Sequence, residues 1–568
     1  MSTARALFEP RAHEASLVAV LRALAAAPSW NAHALDALLR RHPRAGSGLF
    51  SRSELLAGLE AFSNELALGG RRGELAEFLR RRRIRTLSGV APVAVFTKPH
   101  PCPGRCIFCP TDLRMPKSYL SAEPGCQRAA QYAFDPFEQT SGRLRDYRAI
   151  GHPIDKVELI VLGGTWSAYP LAYRIWFVKR CLDALNRFDD RSEAPDVSER
   201  AGWSELEAAQ SANERAELRC VGLSLETRPD HVSRAGVIEL RRLGATRIQL
   251  GLQSLSDDVL ARNERGHGVA ESRAAIALLR SAGFKLHAHW MPNLLGSSPD
   301  ADRADYERLF GDPALRPDEL KIYPCFLIDG TELVEHWRSG AWRPYDDEEL
   351  VSLLADCMAS TPRWCRLTRI VRDISAQDIV AGSKVANLRE RAEARLRASC
   401  RASVDIRARE IRGETPEPGD FVLRETAYEA AGGRELFIEA VTASDRLLGF
   451  ARLRLPSEPA WLDELRDSAL LRELHVYGAL APLGVHAARH AQHRGVGQRL
   501  LGRAAEFARD ARFERLAVIS AVGTRPYYER HGFERGQLYQ SLRLVHWTAS
   551  RAGGGARSEA QPSEGRVG

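Results

Sequence analysis

Three cysteines within eight residues, Cys102, Cys106 and Cys109 in the segment 97–110 (TKPHPCPGRCIFCP), are the residues with the most evident chemistry. Three thiolates on one loop can ligate three irons of a 4Fe-4S cube and leave the fourth iron open to a reactant. Gly104 and the prolines around it let the loop bend about such a cluster. A zinc knuckle would fit the same spacing if His100 or Cys126 supplied a fourth ligand. Ten cysteines in 568 residues are too few for a disulfide framework, so the crowding of three asks for a metal.

Three further segments bear on what an open iron could do. Gly163, Gly164 and Thr165 follow the apolar run 157–162, and Glu226 and Gln253 close two later runs. Polar residues at the ends of successive parallel strands face the mouth of a barrel, where cofactors bind. With cysteine spacings of three and two residues and Phe108 before the last cysteine, the set resembles the radical S-adenosylmethionine (SAM) signature. The resemblance implies that the open iron binds SAM, with the glycine pair beside its amino group. It also implies that an electron donor drives cleavage to a 5′-deoxyadenosyl radical.

A second chemistry sits near the C-terminus. The segment 492–498 (QHRGVGQ) opens a helix whose apolar face runs Leu500, Leu501, Ala504, Phe507 and Ala508. Glycines at a helix start let backbone N–H groups approach a pyrophosphate, and the helix dipole favours its charge. Ahead of it, Glu473, Leu474, His475 and Val476 form a strand that could pair with an acetyl-pantetheine arm; behind it lies 525–533 (RPYYERHGF). Together these resemble the GNAT acetyltransferases, which implies that Tyr528 can protonate a departing CoA thiolate. One of Tyr527 and Tyr528 is expected to be core.

The elements that must position these groups follow from pattern. Residues 1–88 read as a basic helical region ending in Arg80, Arg81, Arg82, Arg83 and Arg85. From 89 to 371, β-rich runs at 93–97, 157–162, 220–225, 247–252, 285–290, 320–323 and 367–371 alternate with helical patterns, which predicts a parallel sheet closed as a partial (β/α) barrel. The charged stretch 189–217 is expected outside it. Residues 372–420 read as a linker region, helix-rich and arginine-dense to about 412 and proline- and glycine-rich at 413–420 (GETPEPGD), 421–549 as an α/β acetyl-CoA-binding domain, and 550–568 as a disordered tail. No signal peptide or membrane span is legible, so a cytoplasmic enzyme is expected. Lys plus Arg number 81 against 73 Asp plus Glu, a net charge of +8 suited to a phosphate-rich partner.

Taken together, the chain resembles the catalytic subunit of Elongator and its single-chain bacterial and archaeal relatives. The stretches that carry the resemblance are 85–92 (RTLSGVAP), the cysteine loop, 132–139 (YAFDPFEQ), 151–158 (GHPIDKVE), 320–330 (LKIYPCFLIDG), 372–374 and both acetyltransferase motifs. It implies a tRNA-binding enzyme that uses the SAM radical on acetyl-CoA to build a carboxymethyl group on carbon 5 of the wobble uridine, without other Elongator subunits. By position it implies that acetyl-CoA meets Lys156, Glu473, Leu474, His475, Val476, Val496, Gly497, Gln498 and Tyr528, with Lys156 and Tyr528 catalytic. It implies that tRNA meets Arg80 to Arg85 and the arginines between 389 and 401. Family members carry a cysteine, part of a zinc site, where this chain has Ala408; no second metal is expected, and Cys400 is expected to be a small buried residue. Two other readings use the same residues: a protein-lysine acetyltransferase with a vestigial cluster domain, and a tRNA-binding scaffold without activity.

Overall fold

The structure is a computed structural model that describes residues 8–27, 30–44, 48–66, 71–79, 89–188, 198–372, 374–385, 387–411, 421–477 and 495–545. The arginines from Arg80 to Arg85, the segment 412–420, residues 492–494 and the expected tail at 550–568 lie outside these. Among the described residues no helix is long and apolar enough to cross a membrane.

Strands β1 (Ala91–Phe96), β2 (Lys156–Leu162), β3 (Arg219–Thr227), β4 (Arg247–Gln253), β5 (Lys285–Trp290), β6 (Glu319–Ile322) and β8 (Arg366–Ile370) form one sheet in the order β1-β2-β3-β4-β5-β6-β8. Every neighbouring pair is parallel, the outcome of strand–helix alternation and the partial barrel expected from it. Strands of such sheets are covered on both faces and usually read as apolar runs. Here one face follows that rule, with Val157, Leu159, Ile248, Leu250, Leu286 and Ala288 buried beneath helices such as Leu171–Asn186. The other face carries polar residues every second position. A short ribbon of β7 (Leu327–Ile328) and β9 (Ile379–Ala381) closes one end.

The second sheet contains β10 (Val422–Glu429), β11 (Gly433–Val441), β12 (Leu447–Pro456), β13 (Ser468–Val476), β14 (Arg515–Val518), β15 (Glu534–Arg535) and β16 (Gln540–Arg543), in the order β10-β11-β12-β13-β14-β16-β15. The helix Val496–Asp510 packs Leu500, Leu501, Ala504 and Ala508 into its core. Near the N-terminus, helices Glu14–Ala26, Arg52–Ala61 and Arg71–Leu79 close on a separate core of Leu17, Leu21, Leu55, Leu59 and Leu75. Outside the barrel, Trp203–Asn213 is a helix within the charged stretch.

One expectation, the burial of Cys400, needs correction. Within the helix-rich stretch, helix Leu388–Ala398 places Leu388, Ala392 and Leu396 in the barrel's core. Four arginines of this region pair with acids: Arg389 with Glu393 at 3.0 Å, Arg391 with Asp347 at 3.5 Å, Arg395 with Glu348, and Arg401 with Asp356 at 2.8 Å. Cys400 is exposed: it follows the helix with φ 54°, and the Arg401 N–H donates back to the Leu396 carbonyl at 2.9 Å. That left-handed cap belongs at a helix end in solvent, not in a core.

The two sheets meet at the N-terminal ends of the barrel strands through buried charge. Asp318, just before β6, receives Arg472 of β13 at 3.1 Å. Arg472 also meets Glu435 of β11 at 2.9 Å, and Glu435 meets Arg454 at 3.2 Å and the barrel's Arg280 at 3.5 Å. Burial alone would raise the Asp318 carboxyl, but Arg472, Arg280 and Arg452 hold it well below the usual range. Removing one member leaves the others charged and dry, which costs about 3–5 kcal/mol. Asp318→Asn and Arg472→Met should each lose about that much in chemical unfolding of the full chain; a loss below about 1 kcal/mol would contradict this account of the interface.

Candidate functional site

At the C-terminal ends of the barrel strands lies a cavity of about 640 Å³ whose walls include Cys102, Cys106, Cys109, Gly164, Thr165, Glu226 and Gln253. These residues come from four separate stretches that only the parallel sheet brings to one mouth. Gly163 (φ 142°) and Gly164 (φ 86°) turn the chain after β2. A Cβ on Gly163 would fall 1.8 Å from Thr97 Oγ1, so no other residue fits there. Thr165 Oγ1 stands 3.5 Å from Cys102 Sγ. Gln253 adopts φ 70° at the end of β4, and its buried Oε1 has no hydrogen-bond partner among the described residues. A ligand seated here would satisfy that acceptor.

Among the described residues no three His, Cys, Asp or Glu side chains converge on a single-ion site. In a cubane each thiolate binds a different iron, so three cysteines spread around one cavity fit a cluster. Both fourth ligands considered for zinc are turned elsewhere. His100 Nε2 is 3.1 Å from the Ala168 carbonyl and its ring stacks on Tyr169, while Cys126 is buried beside Phe96 and Met115. Enclosure, then the neighbouring Cys106, raises the Cys109 thiol to about 12; bound iron would draw that proton off.

A second cavity, of about 410 Å³, lies at the opposite, N-terminal end of the strands, between barrel and second sheet. Glu473, Leu474, His475 and Tyr528 form part of its wall. β14 pairs only with Ser468 to Leu471, so Glu473 to Val476 leave the parallel ladder and open the sheet there. Gly497, at the start of its helix, approaches Tyr527 and Val476: a Cβ would stand 3.2 Å from the tyrosine oxygen and 3.6 Å from Val476 Cγ2. Val476, Val496, Gly497 and Gln498 thus lie beyond the cavity's walls. Lys156 opens β2 at the same end, beside the wall residue Glu158 but not itself in the wall. Burial lowers its ammonium. Of the two tyrosines, Tyr528 is buried in the core and also lines the cavity, while Tyr527 is half-buried against His531.

Sequence reasoning missed what joins the two ends. Lys285 Nζ lies 2.5 Å from Glu473 and 3.4 Å from Glu319. Glu319 meets Arg247 at 3.2 Å; Arg247 bonds Ser224 Oγ at 3.1 Å, and Gln249 bonds the same hydroxyl at 3.1 Å. Gln249 Oε1 accepts from Lys321 and lies 3.2 Å from His289, whose other nitrogen is 3.8 Å from Glu226. An unbroken polar chain therefore crosses the barrel interior from one cavity to the other. The signal that could have found it is the two-residue spacing of Arg247 and Gln249, of Lys285, His287 and His289, and of Glu319 and Lys321, which puts each set on one strand face.

Models of the Radical SAM superfamily match residues 100–301, of the Radical_SAM C-terminal domain 317–398, and of the Acetyltransferase (GNAT) family 405–533. The tRNA uridine(34) acetyltransferase of Dehalococcoides mccartyi is 42% identical over 462 residues, 79% of this chain and 96% of the relative. Elongator complex protein 3 of Homo sapiens is 36% identical over 478 residues, 80% of this chain and 84% of that protein. The solved archaeal Methanocaldococcus infernus Elp3, with N-terminal residues 1–46 deleted, superposes with a TM-score of 0.69 at 35% identity, covering 80% of this chain and 99% of that one.

The buried imidazoles make a pH prediction. Burial holds His287 and His289 well below 6.5 and His475 at about 4. The unfolded chain therefore binds more protons below about 6.5, and stability rises with pH across that window. The thermal midpoint should fall as pH drops from 7.5 to 5, and His287→Gln should shallow that slope; a flat profile would contradict it.

Proposed function

Because the chain belongs to the family formed by tRNA uridine(34) acetyltransferase and Elongator complex protein 3, we propose that it modifies the wobble uridine of tRNA with acetyl-CoA, building a carboxymethyl group on carbon 5. The observation that carries this reading is one barrel with a cysteine-lined cavity at one end and a cavity shared with an acetyltransferase sheet at the other. Cys102, Cys106 and Cys109 would hold the 4Fe-4S cluster, and Gly163, Gly164, Thr165, Glu226 and Gln253 would hold SAM. Bound together, they supply a carbon radical strong enough to take hydrogen from a methyl group.

At the other cavity, Glu473, Leu474, His475 and Val476 would align the acetyl-pantetheine arm, and Val496, Gly497 and Gln498 the pyrophosphate. Lys156 stands at the entrance to that end. Tyr528 is the proton donor for the CoA thiolate: burial raises its phenol well above the ordinary value, so it enters the reaction protonated. Glu473 is poorly suited to be a base for amine acetylation. Lys285 and Arg452 hold it below the usual carboxylate range despite burial, with Arg452 Nε at 2.8 Å. This argues against the protein-lysine acetyltransferase reading.

The cavities face opposite ends of strands such as β4, which has 7 residues and spans roughly 20 Å. The two-carbon unit must cross that distance, and the polar interior suits a carbonyl or carboxylate better than an apolar core would. The direct test is the single chain, reconstituted anaerobically with iron and sulfide and given SAM, acetyl-CoA, a chemical reductant and tRNA, followed by nucleoside mass analysis. The expected product is 5-carboxymethyluridine, absent when Cys102, Cys106 and Cys109 are all serine. SAM cleavage without that nucleoside would overturn the product, and unchanged modification by the serine variant would overturn the radical chemistry.

A further inference from the structure

Arg228 follows β3 and is 5% exposed. Its Nε and Nη2 each bond the Asp230 carboxylate at 2.9 Å, and Nη2 also donates to the Arg265 carbonyl at 2.6 Å. The remaining nitrogen, Nη1, is buried and has no hydrogen-bond partner among the described residues. It points into the cysteine loop, where a Cβ on Gly104 would lie 2.1 Å from Nη1 and 3.7 Å from Cys102 Sγ. The guanidinium thus fills the space that any larger residue at 104 would need. A second guanidinium stands nearby, Arg265 Nη1 being 3.5 Å from Cys106 Sγ.

A buried cationic N–H left unpaired costs about 1–3 kcal/mol or more, so its persistence calls for a partner. The side chain cannot swing away, because three bonds on its other nitrogens fix the fork. What lies ahead of Nη1 is the space enclosed by Cys102, Gly104 and Cys106, where sulfur is the acceptor on offer.

We propose that Arg228 donates a charge-assisted hydrogen bond to the sulfur atoms of the cluster held by Cys102, Cys106 and Cys109, and that this bond raises the cluster's reduction potential. The inference rests on the reading of that loop as a 4Fe-4S site. Reduction adds one electron from an external low-potential donor and makes the sulfur atoms more negative, while Arg228 keeps its proton throughout. A fixed N–H donor stabilises the reduced form more than the oxidised form. Asp230 anchors the fork from the side away from the loop and sets the aim of Nη1.

The test is a redox titration by electron paramagnetic resonance on the anaerobically reconstituted full chain, with iron and sulfide counted for every sample. Arg228→Met should lower the ratio of reduced to oxidised cluster at the wild-type midpoint by about tenfold, equivalent to about 59 mV for one electron. Arg228→Lys, which keeps the charge without the fork, should fall between. Gly104→Ala should shift the midpoint the same way, because its methyl displaces Nη1 while Arg228 remains. A wild-type midpoint in any of these variants with full iron content overturns the proposal, and Arg228→Lys serves should the other two fail to load. Loss of cluster from all three with the fold retained would overturn it too, since Arg228 would then hold the cluster rather than tune it. If the wild type itself takes up no 4Fe-4S cluster, it is the reading of the loop that fails.

Discussion

The Asp318 carboxylate, fully removed from water at the base of the barrel, is the constraint on which the rest of the architecture depends. An isolated carboxylate could not remain ionised there; three arginines, two of them from the second sheet, let it do so. Such buried pairs contribute little net stability over apolar packing, but they tolerate only one arrangement of their partners. Because Asp318 stands before β6 and Arg472 lies within β13, the pair dictates which end of the barrel the acetyltransferase sheet covers. Glu473 is the next residue after Arg472, and its bond to Lys285 of the barrel follows from the same docking.

That docking leaves the other end of the barrel open for the cysteine loop, and it makes the barrel interior a passage between two chemistries. Barrel interiors are ordinarily filled by branched apolar side chains. Here Arg247, Gln249, His287, His289, Glu319 and Lys321 take those positions, and most satisfy one another. Departures from packing rules of this kind concentrate where function requires them. The cost is visible in imidazoles kept neutral by burial, a liability as pH falls, and in two carboxylates that need several cations each.

The readings that held and those that did not divide by range. The cysteine-bearing radical SAM segment, the strand runs and the acetyltransferase helix are local patterns, each written within about a dozen residues. Cys400 was misread because a lone cysteine has no periodicity, whereas its place was decided by a helix cap. Three of the arginines at 389–401 find acids on another helix, Asp347–Ser360, some forty residues earlier, pairings that no local pattern shows. Lys285 was overlooked because its partner Glu473 is distant in sequence, and Arg228 because the cysteine loop it approaches is.

From its sequence alone, then, the chain determined its two chemistries, the parallel sheet and the loop that would hold a cluster, since thiol spacing, hydrophobic period and turn residues act over short stretches. The tertiary structure decided that the two cavities face opposite ends of one barrel, that a polar chain links them, and that Arg265 meets the Cys106 sulfur. Those outcomes rest on contacts such as Arg472 with Asp318, 154 residues apart. No local pattern encodes such a pairing; it forms only when whole domains dock and every buried charge must find its partner.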